Sequence, residues 1–144
     1  MKVIDFSGRE YSWPPSGHVI QLDDKRKRSA YHLRVRHILS LLYPLNNVLE
    51  EVPATGTGLF LDFYIPHLGV AIEVHGEQHY KYIPMFHGSP LGFLASKTRD
   101  RKKKEWCELN GIALVELSYA DTDDRWREQI NDRSTEPTED GDEG

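Results

Sequence analysis

The sequence predicts an α/β (α+β) domain, a mixed β-sheet flanked by helices, built in the order helix, three strands, helix, strand. Three observations carry that expectation. Two apolar, β-branched and aromatic runs, Leu59–Ile65 and Val70–His75, are separated only by Pro66–Gly69, which makes them a hairpin. A helical run over 93–109 ends at Asn110-Gly111 and leads into an apolar strand over 112–117. A strand, a crossover helix of about fifteen residues and another strand imply a parallel pair joined right-handed, so the sheet holds both orientations.

Each element has a local reason. Residues 1–28 show little periodicity and contain Trp13-Pro14-Pro15 and Gly17 as breakers, so they read as an N-terminal arm. Ser29 is a good N-cap for a helix whose apolar stripe is Leu33, Ile38, Leu41 and Leu42, and Pro44 stops it. Val48–Val52 reads as the first strand and Pro53–Gly58 as a turn. After His79, Tyr80–Gly92 is irregular, with Pro84, Gly88 and Pro90. Phe93, Leu94, Trp106 and Leu109 supply the buried positions of the second helix. A short helix fits 123–130, and 131–144 reads as an acidic, aromatic-free, disordered tail. The main domain is thus expected over 29–130.

Composition narrows the partners. No apolar run approaches the roughly 20 residues that a membrane helix requires, and no secretory signal pattern opens the chain. The single cysteine, Cys107, excludes an internal disulfide and a cysteine-built zinc cage. A cytoplasmic protein without a membrane partner is expected. The net charge of -5 hides an asymmetry: residues 121–144 carry a net of -7, which leaves 1–120 at +2. Basic residues cluster in Lys25-Arg26-Lys27-Arg28, extended by Arg34 and Arg36, and again in Lys97, Arg99, Arg101, Lys102, Lys103 and Lys104. Such blocks fit a polyanion, DNA first; solvated helix faces are the plain alternative.

The chemistry concentrates in the hairpin. If Ile65 pairs with Val70, Asp62 falls opposite Glu73, and opposed residues have Cβ atoms roughly 4.5–5.5 Å apart. His75, two residues on, projects from the face of Glu73. A buried carboxylate needs compensation, and two of them side by side are hard oxygen ligands suited to Mg²⁺ or Mn²⁺. The plainer alternatives are that Asp62 bonds a turn and Glu73 pairs with a basic side chain, while His75 is a hydrogen-bonded core histidine. His75-Gly76-Glu77-Gln78-His79 is not the zinc-protease helix motif, because glycine stands where that motif needs glutamate.

Asp62 followed by Glu73-Val74-His75, on the second and third strands of this core, resembles the PD-(D/E)XK nuclease superfamily. The likeness covers about residues 29–119. Asp62-Phe63-Tyr64-Ile65-Pro66, the run 73–79, Arg99-Asp100-Arg101 and Asn110-Gly111-Ile112 are similar to a phage and bacterial branch related to very-short-patch-repair and homing-type endonucleases. The resemblance implies a restriction-endonuclease-like core and a Mg²⁺- or Mn²⁺-dependent endonuclease in a bacterial or phage-infected cell. In it Asp62 and Glu73 would hold the metal and His75 would replace the usual lysine as base or charge stabiliser. Gln78 and His79 would assist at the water or the leaving oxygen. The first helix, which often donates a further glutamate, offers His32, and Glu51 is a second accessory candidate. Lys25, Arg26, Lys27, Arg28, Lys97, Arg99, Arg101, Lys102 and Lys103 would grip duplex or branched DNA. Cutting both strands would call for two sites, as a homodimer has. A non-catalytic nucleic-acid-binding module that keeps the fold is the competing expectation.

Overall fold

The computed structural model describes residues 1–15 and 28–135. Lys25, Arg26, Lys27 and residues 136–144 of the expected tail lie outside the described residues. The elements are β1 (Lys2–Ile4), β2 (Glu10–Ser12), α1 (Ala30–Leu42), β3 (Leu49–Ala54), β4 (Leu59–Ile65) and β5 (Val70–His75). A 3₁₀ turn (Glu77–His79) follows, then α2 (Pro84–His87), α3 (Pro90–Leu109), β6 (Ala113–Ser118) and α4 (Asp123–Thr135).

The main sheet runs β3-β4-β5-β6. β3, β4 and β5 are antiparallel neighbours, and β6 pairs parallel to β5 after the α3 crossover. The sheet is mixed, as expected, with helices on both faces. The hairpin register is the expected one, with Ile65 opposite Val70, and Gly69 takes a positive φ of 67° to close the loop. Ser29 caps α1 by accepting the His32 N–H at 3.1 Å. Ser89 caps α3 in the same way, followed by Pro90 at the first helical position.

Two cores result, one per face of the sheet. Val35, Ile38 and Leu39 of α1 and Trp126 and Ile130 of α4 cover Phe63, Ile65, Val70, Ile72, Val115 and Leu117. Trp106 and Cys107 of α3 cover Leu49, Val52, Leu61, Tyr64 and Ala71 on the other face. The expected stripe of α1 is therefore rotated: Val35 and Leu39 are buried, while Leu33 and Leu41 are exposed. In their place the helix buries two polar side chains, His32 and Arg36. Leu94 and Leu109 of α3 are also exposed rather than buried.

The expected irregular arm is structured over its first half. β1 and β2 form a hairpin that seats Val3 and Trp13 in the α3-side core. Trp13 packs against Tyr64 and Trp106 at ring separations of 4.4 and 5.3 Å, and its Nε1–H donates to the Pro53 carbonyl at 2.7 Å. Asn110, at the end of α3, bonds both backbone groups of Ile4, accepting its N–H at 2.8 Å and donating to its carbonyl at 3.0 Å. At the other end α4 runs five residues beyond Ile130, so 131–135 are helical rather than the start of a tail.

Truncating Trp13 to alanine removes a ring that is 2% exposed, and should cost about 3–5 kcal/mol. Urea unfolding of the wild type and the variant measures it.

Candidate active site

The β4–β5 ladder changes character at the two carboxylates. Backbone pairing ends at Phe63–Ile72. Beyond it the Asp62 N–H donates to Glu73 Oε2 at 2.6 Å, and the Val74 N–H donates to Asp62 Oδ2 at 2.9 Å. Each side chain takes a hydrogen bond from the backbone of the strand opposite. The sequence-derived pair is therefore brought together.

Glu73 is 2% exposed. Its second oxygen, Oε1, accepts from Lys103 Nζ at 2.8 Å. Burial and then the Asp62 charge push the Glu73 carboxyl up to about 8, with Lys103 and the Asp62 N–H pulling the other way. Burial also disfavours the Lys103 ammonium, but Glu73, Asp62 and Asp100 outweigh it and raise its pKa. The plain alternatives for the two carboxylates are thus partly realised: Asp62 bonds backbone, and Glu73 has a cationic partner.

Lys103 is the residue that the sequence misplaces. It belongs to the basic run expected to face phosphates, yet it turns inward to the carboxylates. The signal was its period on α3: Ser96, Arg99, Asp100 and Lys103, spaced by three and four, form one face of the helix and line one cleft. That cleft, of about 690 Å³, is also lined by Glu51, Phe60, Asp62, Gln78, His79 and Phe86. A second cleft of about 410 Å³, between α3, β6 and α4, gathers opposite charges with no such convergence.

Glu51 joins the site through its backbone. Glu50 pairs with Phe63 and Val52 with Leu61, which leaves Glu51 opposite Asp62 with no ladder pairing. Glu51 has φ +53°, the left-handed region, at a cost of roughly 1–3 kcal/mol for a residue with a Cβ. The pleat breaks there. Val48 faces the α1 core but Val52 the α3 core, and Leu61 faces opposite to Phe63, so both strands change phase at the level of Asp62.

His75 is 6% exposed and does not line the cleft. Its ring stacks on His79 at 4.3 Å, 4° from parallel, with Nδ1 3.6 Å from Glu116 Oε2. Burial, then the neighbouring His79, lowers its pKa, which keeps it neutral at pH 7. His79 Nδ1–H donates to Asp100 Oδ2 at 2.9 Å. Burial opposes the Asp100 anion, but the His79 hydrogen bond outweighs it and lowers the carboxyl pKa.

His32, expected as an accessory of the site, does not reach it. Its ring stacks on Phe63 and its Nε2 contacts Glu50, which also accepts from Arg36 at 2.7 Å and Arg28 at 3.1 Å. Arg28 further pairs with Glu51 at 2.6 Å, and its side chain is buried. Arg28 is thus an internal ion-pair residue rather than an exposed phosphate contact, and Arg36 likewise; Arg34 pairs with Asp123 and lies 4.0 Å over Trp126. Lys97, Arg101 and Lys102 remain on the exposed side of α3, and Arg99 is exposed at the cleft.

No family model and no solved structure matches the chain. Three viral proteins are similar to part of it. Uncharacterized protein 094L of Frog virus 3 is 41% identical over 68 residues, 307L of Invertebrate iridescent virus 6 is 39% identical over 61, and 033L of Invertebrate iridescent virus 3 is 34% identical over 67. The matches cover 46%, 42% and 46% of this chain but 44%, 31% and 34% of those proteins. The chain therefore spans less than half the length of the relatives it matches. No helix among the described residues is long and apolar enough to cross a membrane.

Two predictions follow from this geometry. Because φ at Glu51 favours glycine, Glu51→Gly should be more stable than Glu51→Ala by about 1 kcal/mol, read by denaturant unfolding. Glu73 has a folded pKa near 8 against an ordinary 4.5. The folded state therefore holds the extra proton between those values, and stability without divalent ions should fall as pH rises from 4.5 towards 8. Glu73→Gln should flatten that slope, read from thermal melts across the pH range.

Proposed function

We propose that the chain is a metal-dependent DNA endonuclease that hydrolyses phosphodiester bonds at the cleft between β4, the 3₁₀ turn and α3. One observation carries the reading: Asp62 and Glu73 meet where the ladder opens, Lys103 bonds Glu73, and Asp62 and Lys103 line a cleft behind which Glu73 is buried. The donor set fits a hard divalent cation. Two carboxylates, with Glu51 on the neighbouring strand, offer only oxygen, which suits Mg²⁺ or Mn²⁺. Burial and the Asp62 charge disfavour the Glu73 anion by more than Lys103 offsets, so a further cation would stabilise its charged form.

A hard cation bound there supplies polarisation of a phosphoryl oxygen and a more acidic water. The residues of the chain do the rest. Lys103 replaces, in space, the lysine that the motif lacks at His75, and offsets charge on the phosphorane-like transition state. Gln78 and His79, both lining the cleft, stand where they can orient the attacking water and the scissile phosphate. The oxygen of water bonds to phosphorus, the bond to the leaving oxygen breaks, and that oxygen takes up a proton. His75, sealed against His79 and Glu116, has a supporting place instead of the water-activating role its position in the sequence implies. Arg99 at the cleft and Lys97, Arg101 and Lys102 on the outer side of α3 meet the phosphates of duplex or branched DNA, so affinity falls steeply with salt.

The competing reading, a nucleic-acid-binding module without catalysis, is favoured by a specific feature: both Glu73 oxygens already have partners in Asp62 N–H and Lys103. Supercoiled plasmid incubated with the protein and Mg²⁺ or Mn²⁺ separates the two. Cleavage is expected from the wild type, none from Asp62→Ala or Glu73→Ala, and a loss of about 10²–10³-fold from Lys103→Ala. Undiminished cleavage by the Asp62→Ala/Glu73→Ala double variant would defeat the assignment. DNA binding that survives EDTA with no cleavage of plain, mismatched, flapped or branched DNA would leave the binding module.

A further inference from the structure

We propose that His75, His79 and Asp100 form a second cation site, for a borderline transition metal ion of the zinc class, distinct from the Asp62–Glu73 carboxylate pair. The three side chains come from three segments, the end of β5, the 3₁₀ turn and the middle of α3. They nevertheless place one ligand atom each within 4.8 Å of one another. That convergence is built by the fold. Gly76 carries the chain straight from β5 into the turn, and a Cβ there would lie 2.5 Å from Gln78 Oε1.

The donor chemistry differs from that of the carboxylate pair. Two imidazoles and one carboxylate select Zn²⁺, Co²⁺ or Fe²⁺ over Mg²⁺. Imidazole binds metal in its neutral form, and His75 is buried at the end of β5. Tetrahedral ligation at about 2.0–2.2 Å puts donors about 3.3–3.6 Å apart, so the present spread closes by roughly 1 Å. The His75 and His79 rings, now stacked 4° from parallel, tilt apart so that both nitrogen lone pairs meet the ion. The Asp100 carboxylate, already on His79, has a second oxygen and several lone pairs to offer. His79 and Asp100 line the cleft, so the ion would keep an open coordination position facing it.

This inference does not rest on the nuclease reading, and the test keeps the two apart. The full-length protein, stripped with EDTA, is titrated calorimetrically with Zn²⁺ alone, and with Co²⁺ alone while its visible absorption is followed. One tight equivalent is expected to bind wild type and Asp62→Ala alike, with a Co²⁺ spectrum of low coordination number and a rise in Tm. Affinity should fall at least about 100-fold in His79→Ala and in Asp100→Ala. His79→Gln and Asp100→Asn, which keep hydrogen-bonding side chains in place, guard against misfolding, and both should lose Zn²⁺ while keeping the metal-free Tm near that of the wild type. Zn²⁺ affinity unchanged in these variants, or absent from the wild type, would overturn the site. Loss of Zn²⁺ binding in Asp62→Ala would reassign the ion to the carboxylate pair.

Discussion

The structure turns on one electrostatic problem, a glutamate buried beside an aspartate at the point where two central strands part. Coulomb repulsion between neighbouring carboxylates and the loss of water both disfavour the charged form of Glu73. Three devices offset this: the backbone N–H of Asp62, the backbone N–H of Val74 on Asp62 itself, and the ammonium of Lys103. None belongs to a regular ladder. The sheet gives up pairing at this level so that its backbone donors serve side-chain anions, and α3 contributes the cation. An arrangement that only sought stability would have placed two hydrophobic side chains there.

The break in the pleat has a second effect. Glu50 and Glu51 take opposite faces of the sheet, as successive strand residues do, and the phase change then leaves Val52 on the α3 side together with Glu51. Glu50 turns to α1, where burial works against its anion but Arg36 and His32 outweigh it and lower its pKa. Glu51 turns to the cleft, at the expense of a left-handed backbone. Backbone strain held beside a cluster of ionisable groups is the pattern that functional sites show. Arg28 touches both glutamates, so the last described residues before α1 are tied to both faces.

The basic residues divide in the same manner. Among the described residues, Arg28, Arg34 and Arg36 on and before α1 are engaged in ion pairs, whereas those on α3 split by helical period. Lys103 and Arg99 face the cleft, and Lys97, Arg101 and Lys102 are exposed. Lys97 also lies over the Tyr80 and Phe93 rings at 5.5 and 5.7 Å, which joins the basic edge of α3 to aromatic surface beside the cleft.

Local rules read from the chain were sufficient for the order and type of the main elements. Ser29, Pro44, the Pro66–Gly69 loop and Asn110-Gly111 each act through a neighbouring backbone, and short-range chemistry of that kind is written in the sequence. The opposition of Asp62 and Glu73 was legible for the same reason, since a four-residue loop fixes hairpin register. What the sequence left open depends on contacts between distant segments. The burial of Trp13 needs Tyr64 and Trp106; the rotation of α1 needs Glu50 as a partner for Arg36 and His32. Most of all, the inward turn of Lys103 follows from the position of α3 over the sheet. A lysine in a basic run looks alike whether it faces phosphate or carboxylate, because only packing decides which anion is within reach of its ammonium.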